Sequence, residues 1–231
     1  MNETFNSTYF QNRTHDKINR NKMYQLDINF IRKNVNDIAK YRILDVGCSD
    51  GSFINLLVEN NDLYGLEINE DQAKNAALQL RAVFRNLDEV LNSKIYFDVL
   101  IFRGTLHHLT VAEITKLIDL KPKYIVILQA PNFESLVIRR LGYENCNFIC
   151  PNPEVSKTVS PHGIAWIESN ISRDKFKIEK LDYPYWRTPY RKTWSDFTKT
   201  LTNMIFANHL NRRYINAFPR NVFRLVLKAE V

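Results

Sequence analysis

Acidic residues and glycines alternate at one point of the chain, where the apolar pair Ile43-Leu44 runs into Asp45-Val46-Gly47-Cys48-Ser49-Asp50-Gly51. Gly47 permits a backbone turn that a side chain would block, and Gly51 lets a following helix begin close to a ligand. Another carboxylate, Glu67, closes the apolar run Leu63 to Leu66, 20 residues beyond Gly47. That is the spacing at which an acid meets ribose hydroxyls in nucleotide-binding sheets. Further along, His107 and His108 follow the apolar run Phe97 to Phe102. An imidazole near neutral pKa is the usual group for taking a proton from a hydroxyl. Adjacent residues on a strand or turn point in different directions, so one of the pair is expected to face a substrate. His162, between Pro161 and Gly163, is a third candidate.

The turn after the first strand suits one kind of cofactor better than another. A dinucleotide fingerprint wants glycine at the positions held here by Ser49 and Ser52, and Asp45 and Asp50 would repel a pyrophosphate. The same carboxylates attract a cofactor that bears an ammonium and a sulfonium. The residues therefore point to S-adenosylmethionine. Substrate contacts are expected from the segment Tyr183 to Trp194, which interleaves aromatics with cations, through Tyr185, Trp186, Arg187 and Tyr190, with Arg139 in support. Aromatic faces stack on sugars, quinones or bases, and guanidinium groups meet phosphates or carboxylates.

The elements that must position these groups alternate between short apolar runs and amphipathic stretches. Strands are expected at Tyr41 to Val46, Leu63 to Glu67, Val83 to Arg85, Phe97 to Phe102 and Tyr124 to Gln129, with helices at Gly51 to Glu59, Glu70 to Leu80 and Val111 to Leu120. Such alternation argues for a doubly wound, mostly parallel α/β sheet with helices on both faces. Ahead of it, Ile18, Met23, Leu26, Ile28, Phe30 and Ile31 recur at mostly helical spacings, so residues 1–40 read as a helical cover and 41–231 as the sheet domain. Prolines and glycines punctuate the chain after Ala130, which predicts a helix over Phe133 to Gly142 and an insertion or lid over 143–163. A helix near Ile164 to Ile171, a strand at Phe176 to Leu181, a helix over Thr193 to Ala207 and a strand at Val222 to Leu227 follow.

Composition sets wider bounds. A chain of 231 residues with 45% hydrophobic residues can bury one substantial core. No apolar run approaches membrane-spanning length and Met1 to Phe10 lacks the pattern of a signal peptide, so a soluble, cytoplasmic protein is expected. Cys48, Cys146 and Cys150 read as free thiols, and with no second pair or clustered histidines to complete a tetrahedral site, no metal is expected. The net charge of +7 is uneven: Ile171 to Val231 holds 13 Lys and Arg against 5 Asp and Glu, while the first 170 residues sum to −1. An anionic partner would meet the C-terminal quarter, although a solvated basic surface explains the same charges.

At the level of motifs the chain resembles the class I S-adenosylmethionine-dependent methyltransferases. Leu44 to Gly51 is similar to that family's first motif, acidic-x-Gly-x-Gly-x-Gly, with Ser49 in place of the middle glycine. Leu63 to Ile68 resembles the second motif, which implies that Glu67 holds the ribose and Ile68 packs on the adenine. Arg85 to Asp88 lies where the family presents its adenine contacts, making Asn86 and Leu87 the candidates, with Asp88 as the choice in another register. Tyr96 to Leu109 resembles the fourth-strand motif of the small-molecule branch and implies that His108 is the family's histidine. His107 takes a position where glutamate is common. Ala130-Pro131-Asn132 with Ser135, Arg139 and Leu141-Gly142 is similar to the segment after the fifth strand in methyltransferases of ubiquinone biosynthesis and of surface-saccharide clusters.

The resemblance implies a seven-stranded Rossmann-like sheet with an antiparallel last strand, and cofactor contacts from Asp45, Gly47, Cys48, Ser49, Asp50, Gly51, Glu67, Ile68, Asn86, Leu87, Arg103 and Gly104. The expected activity is O-methylation of a small molecule or saccharide intermediate. An RNA methyltransferase using the basic C-terminal region, and a non-catalytic binding protein on the same fold, are the alternatives. An oligomer is compatible with all three.

Overall fold

The computed structural model describes residues 17–58, 62–131, 133, 162–172, 175–182 and 222–230. Ile43–Val46 (β1), apolar but for Asp45, and Leu63–Leu66 (β2) are four-residue strands, each buried along its whole length. Runs this short and this apolar suit strands covered on both faces. Ala82–Phe84 (β3), Val99–Arg103 (β4) and Tyr124–Pro131 (β5) join them, and Phe176–Asp182 (β6) and Val222–Ala229 (β7) complete one seven-stranded sheet in the order β3-β2-β1-β4-β5-β7-β6. The first five strands pair in parallel, and β7 runs antiparallel to both β5 and β6. This is the α/β architecture expected of the sequence, antiparallel last strand included.

Helices Lys17–Asn34 (α1), Ser52–Leu57 (α2) and Glu70–Ala76 (α3) flank the sheet, followed by Leu87–Asn92 (α4), Val111–Ile118 (α5) and the short Ile164–Ile167 (α6). Residues of α1 and α2 share a core with Ile43, Val99, Ile101, Tyr124, Val126 and Val226. On the opposite face Val90, Ile114, Leu117 and Ile167 pack against Leu44, Leu100, Ile125 and Leu225. Each strand thus alternates its side chains between two cores. The start of α5 is fixed by a capping box in which Thr110 and Glu113 satisfy each other's backbone N–H groups.

Three differences from the sequence expectation have physical causes. The one-turn helix α4 was not expected, because it buries Val90 and owes its start to the Asn86 side chain, which accepts from the Glu89 N–H. The apolar stripe of α1 is rotated: Leu26 is 48% exposed, and Tyr24, Asp27, Ile28 and Ile31 face the sheet. The inward face therefore includes an acid where periodicity looks for a hydrocarbon. Finally, β5 continues past Gln129 to Pro131 through an irregularity in its pairing with β7 between Ile127 and Ala130. No described helix is long and apolar enough to cross a membrane.

Candidate functional site

The carboxyl ends of β1, β2 and β4 meet at the glycine turn. There the backbone takes left-handed values at alternate residues, φ +78° at Gly47, +53° at Ser49 and +78° at Gly51. Ser49 holds a conformation that favours glycine, and it is fixed from outside: its N–H donates to Glu67 Oε2 at 2.9 Å and its hydroxyl donates to Gln72 Oε1 at 3.1 Å. The other carboxylate oxygen of Glu67 accepts from the Asn69 N–H at 2.8 Å. Burial raises the Glu67 pKa, and those two N–H groups, with Arg85 nearby, oppose the shift. Each oxygen keeps further lone-pair capacity for a hydroxyl.

Asp45 sits beside this turn, and its side chain is buried with Oδ1 lacking a hydrogen-bond partner among the described residues. Burial drives its pKa up to about 7; Arg103 pulls it down and Glu67 pushes it further up. A carboxylate buried without compensation is costly unless a positive partner arrives. In register terms Asp45 lies opposite Ile101, two residues before Arg103, so acid and guanidinium share one face of the sheet. Gly104 follows with φ +66°, and a side chain there would meet nothing within 4 Å among the described residues, so none of them fills the space beside the end of β4.

The remaining cofactor candidates are distributed around this centre. Asp50 accepts from the Ser52 N–H at 3.1 Å and so opens α2. Ile68 is 51% exposed next to Glu67, an apolar surface at the lip of the turn. Arg85 donates to the carbonyls of Glu67 and Ile68 and holds that lip in place. Asn86 spends its side chain on capping α4, and Leu87 packs against the core of that face. Cys48 is buried, and burial pushes its thiol above the ordinary range, with Asp45 and Glu67 adding to the shift. In folded protein at about pH 8, Cys48 is therefore expected to resist iodoacetamide and to label once the chain is denatured. Mass spectrometry of its peptide reads this directly; labelling at the rate of a free thiol would overturn the packing described.

His107 and His108 lie on the adjoining loop, and His162 packs onto it from beyond β5. Thr105 packs over Gly47, and the next residues, Leu106–His108, form a 3₁₀ turn. His107 is buried and its ring centroid lies 4.0 Å from that of His108, which is half-buried. His162 Nε2 is 2.9 Å from the Leu109 carbonyl oxygen, and its ring packs at a tilt against Trp166, centroids 4.1 Å apart. The chain thus returns from beyond β5 onto the histidine turn. Arg139, Tyr185, Trp186, Arg187 and Tyr190 lie outside the described residues, as do Cys146, Cys150 and residues 143–161 of the expected insertion.

Sequence periodicity missed Asp27, Gln129 and Arg224. Asp27 is fully buried on α1, accepts from Arg103 Nε at 3.0 Å and Gln129 Nε2 at 2.7 Å, and lies 3.8 Å from Arg224 Nη1. An acid at helical spacing between Tyr24, Ile28 and Ile31 is the signal that could have found it.

Residues 25–141 match a family model described as methionine biosynthesis protein MetW, half of the chain and every element from Asp27 to the histidine turn. The chain belongs to the MetW family. A search of curated proteins finds no match. Among solved structures the MetW-family chain is similar to an S-adenosylmethionine-dependent methyltransferase from Archaeoglobus fulgidus, at 24% identity over 89% of this chain and 94% of that one, TM-score 0.52. A possible histamine N-methyltransferase from Thermotoga maritima matches at 13% identity over 90% and 89%, TM-score 0.56. The magnesium protoporphyrin IX methyltransferase of Synechocystis PCC 6803, solved with S-adenosylhomocysteine, matches at 15% over 91% and 82%, TM-score 0.52. At these identities the likeness is one of fold, and the fold of this MetW-family chain is that of the class I S-adenosylmethionine-dependent methyltransferases.

Proposed function

We propose that the chain binds S-adenosylmethionine at the β1 turn and transfers its methyl group to a hydroxyl of a small molecule or saccharide intermediate. The observation that carries the reading is Asp45: a buried carboxylate with an unpartnered oxygen, next to a turn whose tip is pinned by Glu67. That donor set fits the cofactor. Asp45 would receive its ammonium, Glu67 its ribose hydroxyls, Gly47, Cys48, Ser49, Asp50 and Gly51 would shape the wall, and Ile68 would cover the adenine, with Asn86, Leu87, Arg103 and Gly104 around the rim. The solved methyltransferases bound to this cofactor or its product are distant in sequence, so they support the reading through fold.

When bound, the cofactor supplies a methyl group on a sulfonium, open to in-line attack. What the protein must add is alignment and exclusion of water. The space beside Gly104, unfilled by any described residue, lies next to Thr105, which packs on Gly47 and leads into the histidine turn, so an acceptor seated there would lie between donor and base. His108 is the favoured base because it is less buried than His107 and its ring lies against the tilted ring of that neighbour, while His162 is engaged with the Leu109 carbonyl. In this role His108 takes the proton of the acceptor hydroxyl as the oxygen attacks.

Calorimetry with S-adenosylmethionine tests the donor half of the proposal, and the absence of binding by the parent protein would end it. Glu67→Ala is expected to weaken binding by at least tenfold, since two hydrogen bonds to the ribose are lost. For the acceptor half, His108→Ala is expected to leave cofactor affinity unchanged and lower turnover by about 100-fold on a methylated hydroxyl substrate. Unchanged turnover would remove His108 as the base. The mass and methylation position of the product identify the acceptor class.

A further inference from the structure

Along the α1 face of the sheet, each central strand begins apolar and ends polar. Ile43 gives way to Asp45, Val99 and Ile101 to Arg103, and in antiparallel β7 Val226 is preceded by Arg224. In β5 strict alternation would send Gln129 to the far face, with Ile125 and Ile127. Instead the pairing slips there, Gln129 adopts φ +53°, and its amide reaches Asp27 at 2.7 Å. Non-glycine residues hold such a conformation only where their surroundings enforce it, and these outliers concentrate at working sites.

Arg103, Gln129 and Arg224 of this polar layer converge on α1. Arg103 donates to Asp27, and its guanidinium lies 4.4 Å from the Tyr24 ring centroid and 4.9 Å from that of Phe53. Arg224 donates to Asp182 at 2.7 Å and to the Leu26 carbonyl at 2.9 Å, and covers the Phe30 ring at 4.4 Å. Hydrocarbon side chains could dock a helix without the desolvation cost of a buried carboxylate between two arginines. What the ionic arrangement adds is a fixed place for Arg103, the cation that shares a sheet face with Asp45, whose register partner Ile101 lies two residues before Arg103 on β4.

We infer that Asp27 is a positioning residue for the donor site, holding Arg103 so that docking of α1 and occupancy of the Asp45 pocket are linked. The inference rests on the donor-site reading above. Linkage is reciprocal: a ligand at Asp45 tightens α1 onto the sheet, and a docked α1 raises affinity for that ligand by the same factor. Asp27 itself has no need to touch the ligand.

The probe is S-adenosylhomocysteine, which keeps the ammonium and does not react. In the parent protein it is expected to slow amide exchange across residues 24–34 of α1, and Asp27→Asn is expected to abolish that protection and weaken binding by about tenfold. Asp45 is faced by Arg103 from β4, Glu67 from the end of β2 and the Cys48 thiol from its own turn. Freed from Asp27, Arg103 withdraws from Asp45, so the midpoint of the pH dependence of binding should move upward in Asp27→Asn and return in Asp27→Glu. An unchanged or lowered midpoint would mean that Arg103 stays in place without Asp27, and overturns the inference. Should Asp27→Asn not fold, the parent protein decides: binding without protection of α1 overturns this inference alone, and no binding at all overturns the donor site as well.

Discussion

At about pH 8 the ligand-free Asp45→Asn protein is expected to be more stable than its parent, by up to about 4 kcal/mol, while binding S-adenosylmethionine about 100-fold more weakly. The sign follows from where the Asp45 proton is held. Burial raises the pKa from 3.8 to about 7, so the folded state keeps a proton across that interval that the unfolded chain has lost. Stability therefore falls as pH rises from about 4 and the loss is complete above about 7. Asparagine imitates the protonated acid and removes the penalty, less whatever its unpartnered amide costs. Urea denaturation at both ends of the interval checks this: the gain should be largest in alkali and fade toward about pH 4. A variant less stable than its parent at high pH would show that the carboxylate is already compensated in the empty protein.

Gly47→Ala is the second large effect, with an expected loss of about 2–4 kcal/mol of stability. A methyl group at this position would approach Thr105 Oγ1 to 2.5 Å and Cγ2 to 2.7 Å, and the backbone would keep φ +78°. The contacts are with the residue that leads into the histidine turn, so relief by movement would displace His107 and His108 together. Combining Gly47→Ala with Thr105→Ala removes both close atoms and leaves the Thr105 Cβ, 3.1 Å away, and the backbone strain. The double variant should recover part of the loss. Strictly additive effects in the denaturation cycle would show that steric overlap is not the cause.

Most of the sheet was legible because buried parallel strands have a plain signature. β1, β2, β4 and β5 are largely apolar and bounded by turn residues, with Asp45, Arg103 and Gln129 as their polar members, and the spacing from Gly47 to Glu67 carries chemistry as well as geometry. The positions of Asp45 and Glu67, the proposed cofactor contacts, were readable for the same reason: they sit in or just after strands whose location the apolar runs mark. α4 was not, since one buried residue, Val90, is too little for any periodic signal. The charged layer under α1 was hidden for a different reason. Pattern reading assigns inward positions to hydrocarbons, so Leu26 was counted in the apolar stripe and Asp27 passed over, whereas ion pairing with Arg103 and Arg224 from strands distant in sequence turns Asp27 inward. Gln129 was illegible because its direction depends on a slip in pairing with β7.

The place of β7 imposes an order of events on a chain emerging from the ribosome. β7 is made after β6 yet lies between β6 and β5, and roughly forty residues separate the end of one from the start of the other. The first five strands can assemble as they appear, but β6 has no ladder to join until its inner neighbour arrives. For that interval Phe176 and the rest of its apolar side wait uncovered, and the open edge of β5 is free to pair with another nascent copy. Slowing translation within 183–221 should lengthen the wait, which makes this stretch the point at which synthesis rate and yield of folded protein are coupled.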